Sequence, residues 1–308
     1  MVARHKYKYQ LEDFRQIAKR VRAIAPDIVP IVCRDRSYNR LRPQLRYRAS
    51  FVVAPIEMTR LTNVPGAIAQ GIQHPKSTEY RSLESIGVAV PEWELLSESH
   101  VQPTNDAFDK YVVVKPDFGG RGAEVKIKRS SRVRWKPPGN RLSVLREETG
   151  LLVQRFIYTG PWPISYRVTT LFGKPLLAWK VTADRQRRSL DGPDDFGSGG
   201  ETGGGYSICS SGKGCQFELI DDTDILELAS RAHQAFPDMP ILGTDIIREH
   251  STGKLFVIEL NSGGGTWHLS STPGKSIARE FNLDFHSQFG GLARVADVLI
   301  DETRRRAA

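Results

Sequence analysis

Apolar residues at Leu11, Phe14, Ile17, Ala18, Val21 and Ile24 recur at helical spacing and predict an amphipathic helix over 9–25, ended by Pro26. The short apolar runs Ile28–Cys33 and Ala49–Ala54 read as strands, so residues 1–74 form a small basic α/β unit. A helix over 76–86 follows, stopped by Gly87, and Val88–Pro91 opens a further strand. Tyr111–Pro116 and Ala123–Lys128 are strands joined by the glycine-rich turn Asp117–Gly122, and a short helix near 141–149 precedes the strand Leu151–Ile157. Ser165–Phe172 and Pro175–Thr182 make a hairpin turning at Gly173 and Lys174. Asp221–Ala235 is helical with Asp221 or Asp222 as cap, a second hairpin spans 242–261, and a C-terminal helix runs over 288–304. Strands that mostly precede helices, together with two hairpins, argue for α+β layers around a mainly antiparallel sheet. Residues 184–216 break the pattern with glycine runs and few large apolar residues, so they form a mobile functional loop or a disordered insert.

A hydrophobic fraction of 39% against 26% charged residues supplies a packed core and excludes global disorder. No stretch approaches the ~20 apolar residues of a membrane helix. The N-terminal residues lack a secretory h-region, and Cys33, Cys209 and Cys215 match no zinc spacing, so reduced thiols in the cytoplasm are expected. The charge is uneven. Residues 1–48 hold 13 of the 44 Lys and Arg but 4 of the 35 Asp and Glu, so the whole net charge of +9 lies there. Arg34, Arg36, Arg40, Arg42, Arg46 and Arg48, set among Tyr38 and Tyr47, either attract an anionic substrate or carrier, or are surface charge that keeps the protein soluble or pairs across a homodimer. No nucleic-acid-binding motif accompanies them, so nucleic acid is set aside as a partner, and so is a membrane.

The hairpin 242–261 carries the densest chemistry. With Ser251–Gly253 as a three-residue loop, His250 pairs with Lys254, Asp245 lies opposite Glu259, and Gly243 opposite Asn261. Two carboxylates and an amide oxygen then share one face. Like charges that close need a cation between them, and hard oxygen ligands without His or Cys suit Mg2+ or Mn2+. Lys115, at the end of a buried strand beside Gly119, Gly120 and Gly122, reads either as a phosphate grip or as the end of a strand entering a plain β-hairpin turn. No Gly-Lys-Ser/Thr follows, so this is not a Walker loop. Leu152–Ile157 either offers backbone donors and an apolar wall to adenine or is a core strand.

The ordered series resembles the ATP-grasp superfamily, and within it the carboxylate–amine ligases such as the glutamate ligases of ribosomal protein and the glutathione synthetases. The resemblance runs over about residues 74–300. It implies two α+β subdomains gripping ATP, 75–157 and 158–308, behind a short N-terminal α/β unit, 1–74. It also implies Lys76 and Lys115 as phosphate-binding lysines and Gly119, Gly120 and Gly122 as the loop over the phosphates. Gln154, Arg155, Phe156 and Ile157 correspond to the adenine hinge, Arg167 and Lys180 to basic catalytic positions, and Asp245, Glu259 and Asn261 to the metal ligands. The family often has an acidic residue where this chain has Ser165, and a Ser-Ser-Pro-Gly turn where this chain has Ser262–His268.

What the resemblance implies is an ATP- and Mg2+-dependent ligase that joins a carboxylate and an amine, small molecules or peptides, through an acyl phosphate. The alternatives are a kinase of the same fold and a nucleotide-binding interaction protein.

Overall fold

The structure is a computed structural model that describes residues 2–3, 11–34, 47–58, 66–120, 124–139, 141–147, 149–183, 189–196, 215–264 and 271–307. Its centre is a five-stranded antiparallel sheet built from β9 (Ile164–Leu171), β10 (Lys174–Ala183), β11 (Cys215–Leu219), β12 (Ile241–Arg248) and β13 (Leu255–Ser262), in the order β11-β10-β9-β12-β13. Side chains alternate across a strand, so Leu177, Trp179 and Val181 of β10 face one layer while Ala178 faces the other. The first layer comprises α1 (Leu11–Ile24) and α6 (Gly291–Arg306), which bury Phe14, Ile17, Leu292, Val295 and Leu299 against the sheet. The second comprises α2 (Lys76–Ser85) and α4 (Thr223–Gln234), with Tyr80, Leu83, Ile225 and Ala229 packed on Val168, Leu242 and Val257.

A second antiparallel sheet, in the order β5-β8-β6-β7, is made of β5 (Trp93–Leu96), β6 (Tyr111–Pro116), β7 (Lys126–Arg129) and β8 (Leu151–Arg155). The short helix α3 (Arg141–Arg146) lies between β7 and β8 in the chain, and residues 156–163 lead from β8 into β9. At the N-terminal end, β1 (Val2–Ala3) pairs in parallel with β2 (Cys33–Arg34), and β3 (Phe51–Ala54) with β4 (Ala67–Gln70). The α+β class and its antiparallel sheets agree with the sequence pattern.

Several expected boundaries move, each for a local reason. Ile28–Val32 is not strand, because Pro30 has no N–H to give a ladder. The strand expected at Val88–Pro91 begins only at Trp93, past Pro91. The first hairpin turns at Phe172 and Gly173, with Leu171 paired to Lys174; both turn residues have positive φ, 46° and 79°, as a two-residue primed turn requires. Phe172 is held in that conformation between the Phe51 ring, 5.9 Å away, and the Arg306 guanidinium, 5.0 Å from its ring centroid. α5 (Thr272–Phe281), capped by the Ser271 hydroxyl, was not anticipated. No described helix is long and apolar enough to cross a membrane.

One buried polar group on the α4 side makes the fold sensitive to acid. His233 is 2% exposed, with Nδ1 2.7 Å from Thr170 Oγ1 and Nε2 2.8 Å from the Met239 carbonyl oxygen. Burial pushes its pKa down to about 4, from 6.5. Between those values the unfolded chain binds the proton and the folded one does not, so stability falls as pH drops from 6.5 to 4. The loss is of the order of 2–3 kcal/mol. Urea unfolding across that range should show it, and His233→Gln should remove most of the slope.

Candidate active site

The register of β12 and β13 decides which side chains meet. At the turn end Arg248 pairs with Leu255 and Ile246 with Val257, one residue away from the pairing expected from a three-residue loop. At the other end Asp245 pairs with Glu259 and Gly243 with Asn261, as expected. The difference is absorbed by a β-bulge at Ile258, which the register passes over. The bulge therefore restores the two carboxylates and the amide to one face.

Arg167 of β9 stands opposite Asp245 and closes on it with both arms. Its Nη2 donates to Asp245 Oδ2 at 2.6 Å, and its Nε donates to Oδ1. Asn261 Nδ2 donates to the same Oδ2 at 3.1 Å. Burial raises the pKa of Asp245 against the opposing pull of Arg167. Gly243 and Gly264 are in close contact behind this cluster: a Cβ on Gly243 would lie 2.9 Å from the Gly264 Cα. At the end of β13, a Cβ on Gly71 would meet the Ser262 hydroxyl at 2.6 Å, so the segment after β4 abuts the same strand.

α2 and β6 bring the lysines. Asp117, just after β6, anchors the helix start: its Oδ1 accepts from the Ser77 N–H and its Oδ2 from the Ser77 hydroxyl, each at 2.7 Å. That places Lys76 in the first turn, where Nζ donates to the Gly119 carbonyl at 2.8 Å and pairs with Glu259 Oε1 at 3.4 Å. Lys115 Nζ donates to the Ile258 carbonyl at 2.8 Å and to Tyr80 Oη at 3.1 Å. Burial lowers the Lys115 pKa to about 8, with Glu259 opposing the shift. Thus Lys76, Lys115, Arg167, Asp245, Glu259 and Asn261, scattered over nearly 190 residues of sequence, form one cluster at the meeting of the two sheets.

Other expected positions fall elsewhere. Lys180 pairs across the ladder with Tyr166, the neighbour of Arg167, so it faces the opposite side of the sheet, where it is ion-paired with Glu218. The structure does not bring it to Arg167. Gln154 is buried, its side-chain oxygen 2.7 Å from Tyr80 Oη. Arg155 points away, bound to Glu92 at 2.5 Å and Glu249 at 2.9 Å. Phe156 and Tyr111 pack around Phe196, with ring centroids 5.0 and 4.6 Å away, and Ile157 packs with Ile247 and Phe256. Phe196 belongs to the 184–216 stretch, of which residues 189–196 and 215–216 are described; Leu190 and Phe196 are buried, and Cys215 and Gln216 open β11. Gly120 has open space around it, while Gly122, Arg36, Arg40, Arg42 and Arg46 lie outside the described residues.

Sequence reasoning missed Glu79 and Tyr80, both buried. The available signal was their spacing of three and four from Lys76, which puts all three on one helical face. Glu79 Oε2 accepts from the Leu260 N–H at 3.2 Å, and burial pushes its pKa up to about 8. No group of three or more His, Cys, Asp or Glu disposed to hold a metal occurs among the described residues. The available set is two carboxylates and one amide, and Mg2+ ordinarily takes one or two carboxylates with substrate phosphates completing its shell. Asp245, Glu259 and Asn261 fit that ion.

Because folded Glu79 holds its proton more tightly than the unfolded chain, its contribution to stability is full below about pH 4.5 and is lost as pH rises to about 8. Glu79→Gln keeps the acceptor for Leu260 and should flatten this decline, making the variant more stable than wild type near pH 8 by a few kcal/mol (about 2–4). Denaturant unfolding at several pH values would show it.

No family model matches the sequence, and no curated protein does. Among solved structures, D-alanine–D-alanine ligase from Bacillus anthracis aligns over 99% of this chain and 96% of its own, at 13% identity and a TM-score of 0.52. D-cycloserine synthetase DcsG aligns over 98% of this chain and 99% of its own, at 15% identity and TM-score 0.46. The ATP-grasp ligase PsnB, complexed with Mg and ADP, aligns at 16% identity and TM-score 0.43. This chain spans 58% of that PsnB chain and 66% of the ATP-complexed Bacillus anthracis ligase, under two thirds of each. The full-length alignment with the ligase, together with two antiparallel sheets meeting at a lysine–carboxylate cluster, identifies the fold of this chain as ATP-grasp.

Proposed function

We propose that the protein is an ATP-dependent carboxylate–amine ligase. The observation that carries this reading is the convergence of Lys76, Lys115 and Arg167 on Asp245, Glu259 and Asn261 where the two sheets meet. Three cations beside a hard-oxygen ligand set match the needs of phosphoryl transfer, which depends on positioning and charge neutralisation more than on a protein nucleophile. Asp245, Glu259 and Asn261 would hold Mg2+, which supplies charge neutralisation at the phosphates. Lys76 and Lys115 bind phosphate oxygens, and Arg167, released from Asp245, bears on the transferred group. A carboxylate oxygen of the substrate attacks the γ-phosphorus of ATP and ADP leaves. The amine then attacks the acyl carbon, loses a proton, and phosphate departs, leaving an amide.

Gly119 and Gly120 sit where a loop can cover the phosphates, and the acyl phosphate needs such cover from water. The substrates are a carboxylate and an amine, small molecules or peptides. Lys180, on the far face of the sheet, has no role in this reading.

The test is ADP and phosphate release from pools of carboxylates and amines with Mg2+ and ATP, followed by mass spectrometry of the product. An amide is expected. A phosphoester product would replace the ligase by a kinase. Glu259→Gln should lower turnover by about two orders of magnitude with the fold intact. Lys115→Ala should raise the Kd for ATP by about 10–100-fold, the loss of one charge-assisted hydrogen bond. Unchanged turnover in a folded Glu259→Gln protein would remove the metal assignment.

A further inference from the structure

The bulge at Ile258 leaves a backbone carbonyl that β12 does not take up, and two side chains converge on it: Lys115 Nζ at 2.8 Å and Tyr80 Oη at 2.8 Å. Tyr80 is fully buried, and it touches residues of β5, β6, β8 and β13. Its hydroxyl accepts from Lys115 at 3.1 Å and lies 2.7 Å from Gln154 Oε1 of β8. Its ring stands edge-on to Trp93 of β5 at 5.7 Å and lies 5.1 Å from the Lys115 ammonium. A tyrosine hydroxyl has one hydrogen to give, to Gln154 or to Ile258, and lone pairs to offer an ammonium.

We infer that Tyr80 is a positioning residue for Lys115, its hydroxyl and the Ile258 bulge carbonyl together fixing the ammonium beside Glu259 before any ligand arrives. The inference rests on the reading of Lys115 as a phosphate-binding lysine. A lysine side chain is flexible, and ordering it costs affinity when that happens on binding. Two fixed acceptors remove that cost and leave the third N–H of the ammonium for a ligand. Burial and the nearby Glu259 and Glu79 carboxylates raise the Tyr80 pKa, so the hydroxyl keeps its proton and its hydrogen bond to a carbonyl. The bulge serves the same end, since it turns Glu259 to the cluster face.

Tyr80→Phe keeps the ring against Trp93 and removes the hydroxyl alone. In the ligand-free protein, amine acylation with a water-soluble succinimidyl ester, read by peptide mass spectrometry, should label Lys115 about tenfold faster in the variant, with exposed Lys126 as the internal reference. Unchanged Lys115 labelling in a variant that melts like wild type overturns the inference. For ATP, Tyr80→Phe should raise Kd about tenfold, and should add nothing in a Lys115→Ala background. Losses that simply add in the double variant overturn it too, because Tyr80 would then act independently of Lys115. Failure of wild type to bind ATP counts against the nucleotide reading alone, and the labelling result still decides the role of Tyr80.

Discussion

The structure depends on how the outer edge of β13 is satisfied. As the last strand of the five-stranded sheet it has one row of backbone groups that no strand pairs with, and an edge left open invites mispairing. Here the edge is closed by side chains of the first half of the chain. Glu79 takes the Leu260 N–H, Tyr80 and Lys115 take the Ile258 carbonyl, and the Ala89 carbonyl takes the Val257 N–H at 2.9 Å. These bonds lock α2 and β6 to β13 across the residue that carries Glu259. The same contacts that stop the edge from being exposed therefore assemble the charged cluster, and the fold cannot be closed without building it.

That economy also explains what the sequence revealed and what it hid. Asp245, Glu259 and Asn261 were legible because strand alternation is a strict period of two, and they lie within one hairpin. The site-end pairing survived an incorrect turn register only because a bulge inserted the missing residue, and no local pattern around Ile258 announces it. Lys180 shows the opposite case. Family order placed it beside Arg167, but adjacency in a ladder puts neighbours of paired residues on opposite faces, and Lys180 pairs with Tyr166. Glu79 and Tyr80 read as an ordinary helix face, because their hydrogen-bond partners come from strands about 35 to 180 residues away. Long-range partners of that kind leave no periodicity. Of the arginines of 34–48, Arg34 and Arg48 lie among the described residues, and Tyr47 beside Arg48 is exposed.

The glycines divide along the same line. Gly119 and Gly120 read as a flexible loop, yet the residues before them, Asp117 and Phe118, are buried, and Asp117 serves as a distant cap for α2. Gly71 and Gly243 had no loop signature, and Gly264 lies in a glycine run, yet the function of all three is close approach: a Cβ at any of them would fall within 3.1 Å of another backbone or side-chain atom. Packing against Ser262, and packing of β12 against the turn after β13, both require that absence.

The charge arrangement follows from burial. Near neutral pH and below about 8, where Lys115 is charged and Glu79 protonated, the cluster holds Lys76, Lys115 and Arg167 against Asp245 and Glu259, an excess of one positive charge. A buried ion pair is stable only when each charge has a partner, so the protein neutralises its own carboxylates with its own cations. On the ligase reading this sets a rule for binding. A polyphosphate alone must draw Arg167 and Lys76 away from Asp245 and Glu259, stranding two half-buried carboxylates. A divalent cation alone must displace the same side chains, stranding the buried Lys76 and the half-buried Arg167. Arriving together, each takes the partner the other sets free, and no buried charge is left alone. The pairing that stabilises the empty site thus makes joint binding of the metal and the nucleotide the least costly route into it.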